Sequence, residues 1–404
     1  MSRHLFYAAV LLLLCVLLIR GGSCESASAE ETLEEVRHRV PKPQSFAKVN
    51  IGLGPKADFK GATGSFRGPG LVDVSGETVV FAGAHAGASA VGVAAGIAAG
   101  GIPAEGASAA QGGRVMDDEL TAYFPQEAEP ASGGAPRLMP PTTIVNGSTV
   151  YLLLGQYVAA GPVPANGSVA PYTDLLLAKV VFDANATPSA QTRQIQWADT
   201  YSLWPYFPTT IYYRSIVEVV GSGGTGVVLD DGTLTFPVQA RKADGTVVSL
   251  VLQSRRPEED WELSWGTTVS GCSNPAIAEW DRKYGTLYMV TSCDEGFYRV
   301  VRSRYRGEEW VEEDVVLSRV WGTSRARTGK GVRSGFVIAT IGGKKLMLLT
   351  MPVYSEGKEN QGGKGRLHLW LTDRQRVYDV GPISAADEDA AASSLFYKSD
   401  KQGD

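Results

Sequence analysis

The stretch Gly226-Val227-Val228-Leu229-Asp230-Asp231-Gly232-Thr233-Leu234-Thr235-Phe236-Pro237-Val238 decides the fold class. Two short apolar runs flank an Asp-Gly pair, a hairpin signal, because glycine takes up the positive φ that a tight turn demands. The pattern repeats at once: Asp244-Gly245 follows, then a third run from Val247 to Leu252. Runs of this length with β-branched and aromatic residues are strands.

Working outward, the same texture returns in Thr78-Val79-Val80-Phe81, in Thr149-Val150-Tyr151-Leu152-Leu153-Leu154 and from Leu175 to Phe182. It continues in Leu287-Tyr288-Met289-Val290, Phe336-Val337-Ile338-Ala339 and Leu346 to Leu349, the last two separated by Gly342-Gly343. Helical periodicity is almost absent, so the fold is all-β: a sandwich, a barrel or a propeller. Composition does not choose among these.

Two stretches depart from the rhythm. Residues 25–65 are polar and mixed and read as an N-terminal leader. From Ala82 to Gly101 the chain is almost wholly Ala, Gly, Val and Ser, and no carboxylate occurs between Glu77 and Glu105. Such residues offer little bulk and glycine weakens a strand, so the Gly/Ala-rich segment 81–135 is expected to be a poorly ordered loop or a degraded blade.

The chain of 404 residues carries a formal net charge of -5, with its lysines and arginines scattered, which excludes the basic field of a nucleic-acid-binding protein. His4, His38, His85 and His368 are too dispersed for a metal cluster. Gly221-Ser222-Gly223-Gly224-Thr225-Gly226 lacks a following Lys-Ser/Thr and reads as a loop rather than a phosphate cradle. No metal and no cofactor is implied.

Arg3 and His4 precede an apolar run from Leu5 to Ile19, and small residues follow at Gly21-Gly22-Ser23-Cys24. Residues 1–24 read as a secretory signal peptide, the run being shorter than the ~20 residues of a membrane span. The expected location is secreted or cell-surface, with no anchor signal read after Asp404. Cys15 and Cys24 belong to the leader region, which leaves Cys272 and Cys293 to pair in an oxidising compartment, the alternative being two buried free thiols. Asn146, Asn166 and Asn185 open glycosylation sequons.

Leu367-His368-Leu369-Trp370-Leu371-Thr372-Asp373, Gly271-Cys272-Ser273-Asn274-Pro275 and Leu317-Ser318-Arg319-Val320-Trp321-Gly322 together resemble the trypanosomal trans-sialidase superfamily. The texture is closest to its catalytically inactive surface-glycoprotein branch. Ser303-Arg304-Tyr305-Arg306-Gly307-Glu308-Glu309-Trp310 and the ends of Ser254 to Trp261 look like remnants of the family's Asp-box turn. The resemblance implies a six-bladed sialidase-type β-propeller over residues 66–404. Its last blade is expected to be incomplete, and the family's C-terminal lectin-like domain absent.

The resemblance also implies six chemical positions. Sialidases use a tyrosine nucleophile, an exception to the two-carboxylate glycosidase scheme. A Glu activates the tyrosine, a loop Asp is acid and base, and three arginines clamp the substrate carboxylate, because planar guanidinium groups match carboxylates bidentately. Arg67, in Ser65-Phe66-Arg67-Gly68-Pro69-Gly70, matches the first arginine. The acid position falls at about Val91, the activating Glu at Asn274 and the nucleophile at Ala392, so no catalytic residue is retained. The second arginine falls at Ser292 and the third at Lys364, a point charge rather than a fork. A pocket Asp becomes Pro140 and a pocket aromatic becomes Thr173. The substrate-binding candidates are thus Arg67 and Lys364.

The expected function is that of a trans-sialidase-like glycoprotein, catalytically degenerate, which binds host glycoconjugates or matrix proteins as a monomer. An active exo-α-sialidase and a truncated product without function are the alternatives.

Overall fold

The structure, a computed structural model, describes residues 46–49, 53–55, 64–86, 95–102, 121–125, 137–157, 172–182, 196–203, 207, 215–295, 298–313, 331–354, 365–389 and 392–398. All lie in the larger of two compact units, Gln44–Asp404; the smaller, Met1–Pro43, holds the expected signal peptide and lies outside the described residues.

The described secondary structure is all β, in five sheets. Four have the form of propeller blades. The first orders Leu53–Pro55, Thr121–Pro125, Ala95–Ile102, Glu77–Ala86 and Gly64–Val74 from one edge to the other. The second orders Ile216–Gly221, Leu234–Lys242, Val247–Arg256 and Asp260–Leu263, with Val227–Val228 added to Leu234–Lys242. The third is the meander Cys272–Asp281, Thr286–Cys293, Tyr298–Ser303 and Val311–Glu312, and the fourth the meander Gly335–Ile341, Lys344–Val353, Arg366–Thr372 and Val377–Pro382. Remaining strands merge into one seven-stranded sheet, in which Gly224–Thr225 adds in parallel to Thr142–Asn146.

The expected six blades are therefore corrected to four. Local rhythm identifies strands but not the edges at which they join, and a pairing between residues 82 apart, Thr142 with Gly224, absorbs strands that spacing alone would place in separate blades. The stretch 393–398 forms no strand. It lies beside the fourth blade and the first, with Tyr397 Oη donating to Thr340 O at 2.7 Å and Lys398 Nζ 2.8 Å from Asp73.

Hydrophobic cores lie between successive sheets. Leu153 faces a cluster shared with Phe236, Val238 and Leu250, while its neighbours Leu152 and Leu154 face another with Phe81 and Ile97. A strand buried on both faces reads as an unbroken apolar run, which is why Leu152-Leu153-Leu154 does not alternate. Fully burying each such leucine contributes about 1.5–3 kcal/mol.

The Gly/Ala-rich segment 81–135, expected as a poorly ordered loop or a degraded blade, is described in part. Its described residues lie in three strands, Glu77–Ala86, Ala95–Ile102 and Thr121–Pro125, and Ala84, Ala98 and Ala122 make a small buried cluster against Phe66. Small side chains are required there: a Cβ on Gly83 would lie 3.0 Å from Pro140 Cγ. Residues 87–94, 103–120 and 126–136 lie outside the described residues.

Candidate functional site

The site begins where several inner strands start. Arg67 is exposed on the Gly64–Val74 strand, whose pairing with Glu77–Ala86 slips between Arg67 and Gly70. Gly68 follows at φ 59°, a left-handed conformation that glycine adopts without cost. It packs directly on Pro140, whose Cβ would be 2.8 Å from a Cβ at position 68. Pro140, at the position of the expected pocket carboxylate, is thus wedged between Gly68 and Gly83 beside Arg67.

Behind Pro140 the Gly223-Gly224 turn is locked by two buried threonines. Gly223 N–H donates to Thr142 Oγ1 and Thr143 Oγ1 donates to Gly224 O, each at 2.9 Å. Both glycines have positive φ, 78° and 64°. The side chain of Arg333 lies against this turn: a Cβ on Gly224 would fall 1.8 Å from Arg333 Nη1.

Arg333 is 5 % exposed. Its Nη1 donates one long hydrogen bond, 3.5 Å, to Ser393 O, and its Nε has no partner. Among the described residues no carboxylate pairs with it. Burial alone pulls its pKa down to about 10, so the guanidinium stays charged at neutral pH.

A third cluster gathers around Asn274. Its backbone sits at φ 52°, a conformation that Asn tolerates better than other non-glycine residues. Its Nδ2 lies 3.1 Å from Ser292 Oγ, 3.2 Å from Gly331 O and 3.4 Å from Ser273 Oγ. Its backbone N–H donates to Gln239 Oε1 at 3.1 Å. Ser292 is buried, and a Cβ on Gly331 would come within 2.7 Å of Ser292 Cβ, so the 331 backbone fills the space over that serine. A disulfide joins Cys272 to Cys293, Cα atoms 4.0 Å apart, and pins the two strands one residue away from the paired Ser273 and Ser292.

Ala392 is half-buried, and the chain after it is held by Ser393. Ser393 N–H donates to Arg333 O at 3.1 Å, its Oγ accepts from Gly335 N–H at 3.1 Å, and Thr350 Oγ1 is 2.8 Å from that same Oγ. Arg67, Pro140, Arg333 and Ala392 therefore belong to one connected region, which Gly331 links to Asn274 and Ser292. Tyr397 is bonded to Thr340 O and carries no phenol to Ala392's position. Val91, Thr173, Lys364, Asn166 and Asn185 lie outside the residues whose side chains are described. Asn146 is exposed in the turn before Gly147.

The electrostatics of the region are cationic. His85, across the sheet from Ser65, has its pKa lowered by burial and then by Arg67 and Arg137, and its Nε2 is buried without a partner. A separate cavity of about 350 Å³ opens toward the other ends of the inner strands, where burial pushes the Glu279 carboxyl upward. No group of metal-ligating side chains occurs among the described residues.

Sequence reading missed Arg333. Its signal was present: a charged residue framed by Gly331 and Gly335, immediately before the apolar run that starts at Phe336.

The family model of the BNR repeat-like domain matches residues 68–404. A sialidase of Trypanosoma cruzi is 33 % identical over 265 residues, 66 % of this chain and 22 % of the relative. Sialidase 85-1.1 of the same organism is 34 % identical over 64 % of this chain and 34 % of its own length. Among solved structures, Trypanosoma rangeli sialidase in complex with sialic acid superposes with a TM-score of 0.67 at 29 % identity, over 89 % of this chain and 56 % of that one. The chain spans about a fifth to a third of the length of the curated relatives it matches.

Proposed function

Because the chain belongs to the BNR repeat-like domain family and is homologous to the sialidases and trans-sialidases of trypanosomes generally, we propose that it is a sialidase-fold glycoprotein that holds sialylated glycans without cleaving them. The homology reaches the family as a whole; the inactive surface-glycoprotein branch belongs to this proposal. The observation that carries it is the neutral network at Asn274. Where the resemblance expects a carboxylate beside an arginine, an amide bonds a serine hydroxyl and a backbone carbonyl. An amide cannot raise the nucleophilicity of a phenol by charge, and Ala392 offers no phenol to activate.

The same reading makes the protein secreted or cell-surface, which the Cys272–Cys293 disulfide supports, since such bonds persist in oxidising compartments. Adhesion to glycoconjugates or matrix would be its use. An active sialidase is the second reading, favoured by the naming of the relatives as sialidases. Calorimetric titration of the full chain with sialyllactose and with lactose tests the proposal: sialyllactose should bind and remain intact, and equal heats from both sugars would contradict it.

A further inference from the structure

Only one face of the fourth blade is packed in a core. Phe336, Met347, Leu349, Trp370 and Val377 meet Ala278 and Tyr288 of the third blade in one cluster. Side chains alternate along a strand and directly paired residues share a face, so the residues between these point the other way. Register sets Val337 opposite Leu348, Leu348 opposite Leu371 and Leu371 opposite Tyr378, a single apolar row across all four strands. Leu346 and Leu369 stand on the same face, two residues along from Leu348 and Leu371. All six reach solvent, Tyr378 with 47 % exposure, and Val380 and Ile383 extend the apolar surface at the outer edge with 58 % and 53 %. Four strands ~4.8 Å apart and about six residues of ~3.3 Å rise give a footprint on the order of 400 Å², a size at which exposed apolar patches are commonly functional. The outermost strand, Val377–Pro382, adds an open sheet edge.

Charge at the two ends of this face names the occupant. Lys344, exposed, lies two residues before Leu346 and therefore on the same face, and exposed Arg376 at that end donates to the Tyr378 hydroxyl. At the opposite end Asp387, Glu388 and Asp389 are exposed, and Asp389 Oδ1 accepts from Gly365 N–H at 2.7 Å, just before the Arg366–Thr372 strand begins. The face is thus apolar along its length, basic at one end and acidic at the other. A second copy turned about a two-fold axis that runs across the strands brings basic end onto acidic end twice, with the leucine rows between them. We propose that this face is an interface between two copies of the chain, their fourth blades packed as aligned sheets with strands antiparallel. Such contacts are isologous, so one surface has to complement only itself. The inference does not depend on the glycan reading, and the monomer expected from the sequence is its alternative.

The test is sedimentation equilibrium of the purified native chain over a range of concentrations, beside variants of the face and of its ends. The native chain should sediment with the mass of two chains and release monomer on dilution. Tyr378→Glu, at an exposed position where the monomer tolerates a charge, should weaken association at least about tenfold. Lys344→Glu with Arg376→Glu sets acid against acid and should weaken it by a similar factor, as should Asp387→Lys with Glu388→Lys. All four reversals together should restore the dimer, which a merely sticky surface would not do. A native chain still monomeric at about 100 μM, open-ended aggregates in place of a dimer, a dimer indifferent to Tyr378→Glu, or a fourfold reversal that fails to restore association would each overturn the assignment. Should the reversal at 387 and 388 not fold, the Tyr378→Glu and basic-end variants decide.

Discussion

Asn274 Nδ2 lies 3.1 Å from Ser292 Oγ, so two positions at which a sialidase-like site would set opposite charges hold a bonded pair of neutral groups. The pair is also structural, since Asn274 supplies the left-handed backbone at the start of its strand and ties Ser273, Ser292 and Gly331 together.

Installing the missing carboxylate should therefore damage the fold before it creates chemistry. Asn274→Glu removes the amide's donated bonds and places a longer residue at φ 52°, and it is expected to cost about 1–3 kcal/mol of stability. Urea denaturation of the variant should show a lower midpoint, with no sialoside hydrolysis gained. Ala392→Tyr alone, or combined with Asn274→Glu, should likewise remain inactive, because catalytic groups act as a unit.

The Cys272–Cys293 bond closes a loop between residues 21 apart, for which chain-entropy arguments give about 3 kcal/mol. The double variant Cys272→Ala/Cys293→Ala should show a correspondingly reduced denaturation midpoint. Peptide mapping without reduction should recover the linked pair, and two alkylatable thiols in the purified protein would be the contrary finding.

How far the sequence disclosed this architecture depends on the range of each interaction. The runs at Thr233–Val238 and Val247–Leu252 became strands, and Gly245 has the φ of 85° that its turn signal required. Those are local facts. Blade number was not legible, because it depends on long-range edges such as Gly224 beside Thr142. Composition also does not disclose why Gly83 and Ala84 are small, which depends on Pro140 and Phe66 pressing on them from elsewhere in the chain. Arg333 escaped notice because a lone arginine among glycine and serine looks solvated in one dimension. Its burial is created by Gly224 and Ser393, distant in sequence by more than a hundred and by sixty residues respectively.

His85 makes stability depend on pH. Its folded pKa is depressed from 6.5 by burial first and by Arg67 and Arg137 next, so the unfolded chain binds the proton more readily. The contribution is fully present above the unfolded value and is lost as pH falls below about 6.5 toward the lower folded pKa. Tm measured from pH 8 to pH 5 should fall less steeply in His85→Gln than in the native protein. Parallel curves would show that the imidazole is not the group responsible.

Packing at the centre of the larger sheet sets a further expectation. Leu153→Ala removes a side chain with no exposure from the cluster shared with Phe236 and Leu250 and should cost about 2–5 kcal/mol. Chemical denaturation read by tryptophan fluorescence would register it, and a loss under about 1 kcal/mol would mean that the site collapses around the cavity.

The central claim, a sialidase fold that binds without turnover, is tested most directly by incubating the purified native chain and its Arg67→Ala variant with a fluorogenic sialoside, with transfer to lactose followed in parallel. The account predicts no release of fluorophore above buffer and no sialylated lactose from either protein. Release by the native chain that Arg67→Ala abolishes would contradict it and make this protein an active sialidase.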